Sequence, residues 1–240
     1  MRCRVVLFDI DHTLLDAGGV GRRALERALG EVAGIFGDSH RVPFSGRTDP
    51  EIVRDLLAID GLAPAPGLVT AVLDRYVQRL EEEVASCRDA RLLPGVPEVL
   101  EALDRPGVHV GLLTGNIARG ARLKLRPHGI ESRFRFGAFG EDAMRRPDLL
   151  PVAIARWRAL VGDGAELAPS DVYVVGDTMQ DVAVARAHGA RAVAVGTGEP
   201  YQSRSALLAA APDFFFEDLR QAWPFVEEVV RGAAGTPPGA

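Results

Sequence analysis

Along the chain, short runs in which nearly every residue is apolar alternate with stretches whose apolar residues recur every three or four positions. The runs fall at residues 4–8, 108–113, 134–139, 172–175, 192–195 and 214–216. Nearly continuous runs of this length, bounded by turn residues, predict strands covered on both faces. Helical periodicity follows the later runs at residues 118–127, 149–160, 181–188 and 218–230. Strand–helix–strand alternation predicts a parallel sheet, and right-handed crossovers put the C-terminal ends of its strands on one edge. The expected fold class is therefore α/β, with a Rossmann-like parallel sheet as its core.

One interval breaks the alternation. After Thr13 no convincing strand occurs until Val108, and three helical patterns take its place. The first sets Leu25, Ala28, Leu29, Val32 and Phe36 on one face. The second carries Ile52, Val53, Leu56 and Leu57, and the third runs from Leu68 through Val72, Tyr76 and Leu80 to Val84. Gly18-Gly19 opens this block and Pro94-Gly95 closes it, both with the composition of hinges. The pattern predicts a helical domain over residues 17–92 inserted into a core made of 1–16 and 93–231. Residues 232–240, rich in Gly, Ala and Pro, are expected to be a disordered tail.

Composition narrows the field. With 240 residues, 47% hydrophobic and 25% charged, the chain can bury a substantial core and is no disordered or disulfide-stapled protein. No apolar run approaches the roughly 20 residues of a membrane span. The apolar run after Met1 is too short for a secretory signal and reads as a buried strand. A net charge of −5 argues against a nucleic-acid partner. Two cysteines, Cys3 and Cys87, make no disulfide framework, so a reducing, cytoplasmic setting is expected. Of the 28 basic residues, only Lys124 is a lysine.

The candidate chemistry lies where strands end. The first strand leads into Asp9-Ile10-Asp11, whose alternate positions point both carboxylates to one side. The fourth ends in Gly176-Asp177, followed by Asp181, bringing two more acids to the same edge, where open α/β sheets bind ligands. The second ends in Thr114-Gly115-Asn116, a hydroxyl and backbone N–H groups able to cradle a phosphate. Two carboxylates ~4 Å apart at an effective dielectric of ~20 repel by about 4 kcal/mol. A hard divalent cation with oxygen ligands removes that conflict, and Mg2+ suits a site that also holds a phosphate.

Asp9-x-Asp11-x-Thr13, Thr114 after an apolar strand, and Gly176-Asp177-x-x-x-Asp181 together resemble the haloacid dehalogenase superfamily of aspartate-nucleophile phosphohydrolases. The helical insert sits where that superfamily carries its type 1 cap, and the chain is loosely similar to phosphoglycolate phosphatases. The resemblance implies that Asp9 attacks phosphorus and that Asp11 serves as acid and then base. It also implies that Asp9, the backbone carbonyl of Asp11, Asp177 and Asp181 surround Mg2+, and that Thr114 with the N–H groups of Gly115 and Asn116 grips the phosphoryl oxygens. His12 stands where many relatives have glycine and is expected to be an exposed spacer, with a substrate contact as the alternative.

A cation should also offset the charge of nucleophile and phosphate. Arg146, in Arg145-Arg146-Pro147, and Lys124, on the helix after Thr114, are rival candidates. In the insert, Arg47, Thr48 and Asp49 are candidates for substrate contact, with helix capping the competing account of Thr48 and Asp49. The resulting expectation is a cytoplasmic Mg2+-dependent phosphatase of a small phosphorylated metabolite, working as a monomer or homodimer. A phosphosugar mutase of the β-phosphoglucomutase type and a non-catalytic binding protein on the same scaffold are the alternatives.

Overall fold

The computed structural model describes residues 2–37, 39–162, 164–198 and 202–233. Its strands are β1 (Arg4–Phe8), β2 (Leu15–Asp16), β3 (Arg91–Leu92), β4 (Val108–Leu113), β5 (Gly137–Ala138), β6 (Val172–Gly176), β7 (Arg191–Val195) and β8 (Phe214–Phe216). Six of them form one parallel sheet in the order β5-β4-β1-β6-β7-β8. Strand order reverses around β1, so the loops leaving β1, β4 and β6 meet at a topological switch point.

Helices cover both faces of this sheet. They are α1 (Val20–Ala33), α2 (Asp49–Ile59), α3 (Pro66–Ser86), α4 (Val96–Ala102), α5 (Ala118–Leu125), α6 (Leu149–Val161), α7 (Met179–Ala187), α8 (Arg204–Ala209) and α9 (Trp223–Ala233). Every residue of β1 is buried. Val5 and Leu7 join Leu149, Ala153, Trp157 and Val182 in one core layer. Val6 and Phe8 point the other way, toward Val99, Leu103, Phe225 and Val229. Period-two alternation with apolar residues on both sides is what a central parallel strand requires.

Between β2 and β3 the chain forms α1, α2 and α3. Helix α3 packs along α1 and also meets α2 and α5. Burial of Ala24, Leu25, Ala28 and Leu29 on α1 against Val69, Val72, Tyr76 and Leu80 on α3 follows the predicted apolar stripes. Strands β2 and β3 pair antiparallel and bring the two connections side by side: Leu15 opposes Leu92 and Asp16 opposes Arg91. Two-residue strands carry no periodicity, which is why this ladder was invisible in the sequence.

Several expectations are corrected. The apolar run at 134–139 contributes only Gly137 and Ala138 to the sheet, because β5 is an edge strand with β4 as its single neighbour. Phe36 does not continue the buried face of α1. Gly34, at φ 69°, terminates the helix and leaves Phe36 87% exposed. Residues 232 and 233 belong to α9 rather than to a tail; 234–240, the rest of that segment, lie outside the described residues. Among the described residues no helix is long and apolar enough to cross a membrane.

Candidate active site

Strand β1 delivers Asp9 to the switch point, where its N–H donates to the Val175 carbonyl at 2.9 Å. The chain then turns tightly: the Thr13, Leu14 and Leu15 N–H groups all return to the Ile10 carbonyl. His12 takes up the left-handed backbone at φ 58°, a conformation costing a non-glycine residue roughly 1–2 kcal/mol. It is half-buried and lines the cavity described below, which corrects the expectation of an exposed spacer.

The acids of β1 and β6 converge as expected. One carboxylate oxygen from each of Asp9, Asp177 and Asp181 lies within 4.8 Å of the others, all three residues being buried. Two glycines permit the approach. A Cβ at Gly176 would lie 2.1 Å from Asp181 Cγ, and one at Gly198 would lie 2.3 Å from Asp177 Oδ2. Asp181 also closes the N-terminus of α7 through a capping box with Thr178. The Thr13 hydroxyl donates to Asp177 Oδ1 at 3.2 Å.

Both rival cations reach the site, Arg146 on the triad and Lys124 on Asp11 beside it. Arg146 Nη2 donates to Asp9 Oδ2 at 2.8 Å and to Asp181 Oδ1 at 2.7 Å. Lys124 Nζ donates to both oxygens of Asp11, at 2.9 and 2.7 Å, and to Asn116 Oδ1 at 2.7 Å. Lys124 reaches the strand edge from α5 because a helical side chain leans toward the N-terminus of its helix.

The electrostatics separate the two acids of the first motif. Burial pushes the Asp9 carboxyl above its usual range, the Arg146 charge opposing and Asp181 adding to the rise. Burial together with Asp9 and Asp181 raises Asp177 strongly. For Asp11, burial acts upward, but the Lys124 charge and the hydrogen bonds from Lys124 and Asn116 outweigh it and hold the group low. Three buried carboxylates thus face a single guanidinium, leaving an excess of negative charge at hard oxygen donors. That donor set fits a divalent cation of the Mg2+ type. The Asp11 carboxylate stands outside this triad, committed to Lys124.

The loop after β4 differs from the expected cradle. The Asn116 N–H is taken by the Thr114 hydroxyl at 3.3 Å. The Asn116 side chain is the more important element: its Nδ2 donates to Asp11 Oδ2 at 2.8 Å and to Thr114 Oγ1 at 3.0 Å, while its Oδ1 receives Lys124. The next two N–H groups are occupied by carboxylates, Ile117 by Asp49 and Ala118 by Glu141. Thr114 is fully buried, and its hydroxyl opposes the rise of the Asp9 carboxyl. No sequence signal pointed to Glu141 or to the Asn116 side chain, since both act through contacts across the fold.

The predicted contact residues of the helical insert divide. Thr48 is fully buried and forms a capping box with Glu51, so its hydroxyl serves the N-terminus of α2 rather than the cavity. Arg47 lines the cavity, with its guanidinium paired to Asp55. Asp49 also lines it and joins the insert to the core: its N–H donates to the Gly115 carbonyl at 2.8 Å, and its Oδ2 accepts from Ile117 N–H at 2.9 Å. The seam is close, since a Cβ at Gly115 would lie 2.0 Å from the Arg47 carbonyl oxygen. The cavity itself measures about 570 Å3 and is bounded by Asp9, Asp11, Lys124 and Arg146 on the core side. Residues of α1, α2, α3 and the α1–α2 connection complete its wall.

Asp49 yields a pH prediction. Burial raises its carboxyl to about 6, with the Lys124 charge and the Ile117 N–H opposing. An acid whose folded pKa lies above its ordinary value near 4 favours the fold when protonated; that contribution is complete below about pH 4 and is lost as pH rises to about 6. Asn at position 49 keeps an oxygen for Ile117 but does not titrate. The wild type's melting temperature relative to Asp49→Asn should therefore fall between pH 4 and pH 6 and then level off. A difference independent of pH would refute the assignment.

Known proteins resemble this chain in sequence and fold. Residues 6–195 match the model of the haloacid dehalogenase-like hydrolases. A phosphoglycolate phosphatase of Synechococcus elongatus is 29% identical over 230 residues, covering 91% of this chain and 96% of that protein. An N-acetylmuramic acid 6-phosphate phosphatase of Pseudomonas aeruginosa is 27% identical, covering 82% of this chain and 84% of its own. Among solved structures, CbbY from Rhodobacter sphaeroides in complex with phosphate superposes with a TM-score of 0.73 at 17% identity, covering 92% of this chain and 96% of that one. A family match spanning most of the sequence, on a sheet that carries its acids at the same switch point, makes this chain a haloacid dehalogenase-like hydrolase.

Proposed function

We propose that the protein is a phosphatase that hydrolyses the monoester of a small phosphorylated metabolite, with Mg2+ bound and Asp9 as the nucleophile. The observation that carries this reading is the position of Asp9: buried at the switch point, bonded to Arg146 and grouped with two further carboxylates at the floor of a cavity. Relatives named as phosphatases of phosphate monoesters support it.

In this reading an Asp9 oxygen bonds to phosphorus as the bond from phosphorus to the substrate alcohol breaks. Asp11 supplies the proton that the departing alkoxide takes. Asp11 then removes a proton from water, whose oxygen attacks the phosphorus of the aspartyl-phosphate, releasing inorganic phosphate and restoring Asp9. Lys124 keeps Asp11 ionised in the free protein, the state needed for the second step. A phosphoryl dianion arriving beside Asp11 opposes that ionisation and favours proton uptake for the first. Arg146 orients Asp9, and its Nη1, which lies near Gly115, is placed to meet a phosphoryl oxygen. Asp9 and Asp177, with Asp181, would hold Mg2+, which when bound draws charge from the phosphoryl oxygens. Residues 17–92 act as a cap, excluding water and bulky substrates by closing along the Asp49 seam. Cys3 and Cys87 stand outside any disulfide among the described residues, which accords with work in the cytoplasm.

The test is release of inorganic phosphate from a panel of phosphorylated metabolites and an aryl phosphate, with Mg2+ or with a chelator. Hydrolysis that requires the metal is expected. Release no faster than in a protein-free control across the panel would overturn the proposal.

A further inference from the structure

Several charged side chains face the cavity, and most of the cations among them are already neutralised. Lys124 is held by Asp11, Arg146 by Asp9 and Asp181, and Arg47 by Asp55. Arg22 is different. It lies in the first turns of α1 and lines the cavity, and no carboxylate among the described residues pairs with it. Its guanidinium rests 3.8 Å from the centroid of the Phe44 ring, and its Nη1 donates to Ser39 Oγ at 2.7 Å. The Ser39 hydroxyl in turn donates to Glu26 Oε1 at 2.5 Å, so the nearest acid is kept one hydroxyl away. The ring contact and the Ser39 bond hold the guanidinium and leave its remaining N–H groups without an acceptor among the described residues. Arg22 is half-buried, so these groups are open to the cavity. A guanidinium held in this way is pre-organised to meet an anion at small entropic cost.

The position of α1 ties Arg22 to the reacting centre. A Cβ at Gly21 would lie 3.3 Å from Lys124 Nζ, which itself holds Asp11 at 2.7 Å. The residue next to Arg22 therefore abuts the acid–base pair, and the Arg22 side chain extends along the cavity wall toward Phe44. A phosphoryl group at Asp9 would direct its leaving group into this space, which at about 570 Å3 exceeds what a phosphate alone needs.

From this geometry we infer that Arg22 is a specificity residue, selecting substrates whose leaving group carries a second anionic group, a carboxylate or another phosphate. The inference rests on the phosphatase reading of the same site. A planar, always-charged fork suits both anions, and its contacts with them are charge-assisted.

The experiment compares kcat/KM for three monoesters with Mg2+ present: 2-phosphoglycolate, which adds a carboxylate; a sugar bisphosphate, which adds a phosphate; and glycerol phosphate, which adds no charge. The wild type should favour at least one of the first two over glycerol phosphate. Arg22→Met keeps an unbranched chain over Phe44 and should reduce that preference by about tenfold to a hundredfold, the range of one charged hydrogen bond. Arg22→Lys, which keeps the charge, should restore part of it. Which of the two anionic substrates loses more identifies the anion. A wild type that hydrolyses these esters with no anionic preference would overturn the inference and leave the phosphatase reading standing, as would a preference that Arg22→Met leaves intact. Failure of the wild type to hydrolyse any of them would overturn the inference, and failure across the full metabolite panel and the aryl phosphate would overturn the phosphatase reading as well. Thermal melts of both variants separate a lost contact from a lost fold.

Discussion

Asp9→Asn should lower kcat by about ten-thousandfold or more, the scale on which enzymes lose turnover when a covalent nucleophile is removed. The amide oxygen can still accept the hydrogen bond from Arg146 Nη2, so the loop and the guanidinium keep their positions. What disappears is the negative oxygen that attacks phosphorus. The same substitution removes a buried carboxylate that is itself pushed up by burial and whose charge raises Asp177. Without metal at pH 8, its melting temperature should therefore be no lower than that of the wild type. Loss of activity with retained stability identifies a reacting group. A variant within tenfold of the wild type would exclude Asp9 as nucleophile.

The second large effect comes from the two cations, which the fold assigns to different acids. Lys124→Met leaves Asp11 and Asn116 Oδ1 without their ammonium partner. Because Asp11 is partly exposed, the stability cost should be moderate, about 1–3 kcal/mol, while kcat should fall about a hundredfold to ten-thousandfold as the acid–base group loses its position. Arg146→Met acts on stability more strongly. It leaves Asp9, Asp177 and Asp181 facing one another with no cation, in a site where breaking a buried pair costs about 3–5 kcal/mol. The Asp9 and Asp177 carboxyls, already raised, then have folded pKa values still further above their ordinary ones. Stability of this variant should therefore rise as pH falls toward those ordinary values. Mg2+ should raise its melting temperature more than that of the wild type and leave the Lys124→Met deficit largely in place. Equal rescue of both variants by Mg2+ would contradict the division of labour.

This division bears on how catalysis is arranged around one strand end. Asp9 and Asp11 are two residues apart, yet one is pushed up by burial and by neighbouring acids while the other is held down by Lys124 and Asn116. Separate environments for adjacent carboxyls are a recurring way to give two acids two tasks. The Asn116 side chain joins the group around Asp11: it touches Asp11, Lys124 and Thr114, and the Thr114 hydroxyl lowers the Asp9 carboxyl.

By itself the sequence determined the sheet and the acids. Strand β1 coincides with its apolar run, and the parallel order places the ends of β1, β4 and β6 together whatever the loops do. Asp9, Asp177 and Asp181 could be assigned to one edge because strand period and crossover handedness are local and topological rules. The stripes of α1, α2 and α3 were legible for the same reason, though the end of α1 depended on Gly34 adopting positive φ, and Phe36 was lost from the face.

Tertiary structure alone decided the partners. Lys124 and Arg146 both point into the site, and only the packing of α5 and the turn before α6 determined that one meets Asp11 and the other Asp9 and Asp181. The β2–β3 ladder, the Asp49 seam and the Glu141 cap depend on residues far apart in the chain, for which spacing carries no signal. Arg22 shows the limit most clearly. In the sequence it is one arginine among many, and it became distinctive when the fold supplied every other cavity-lining arginine and lysine with a carboxylate and gave Arg22 only a ring and a hydroxyl. Periodicity records which residues are buried, whereas pairing of charges is set by distances that only the folded chain defines.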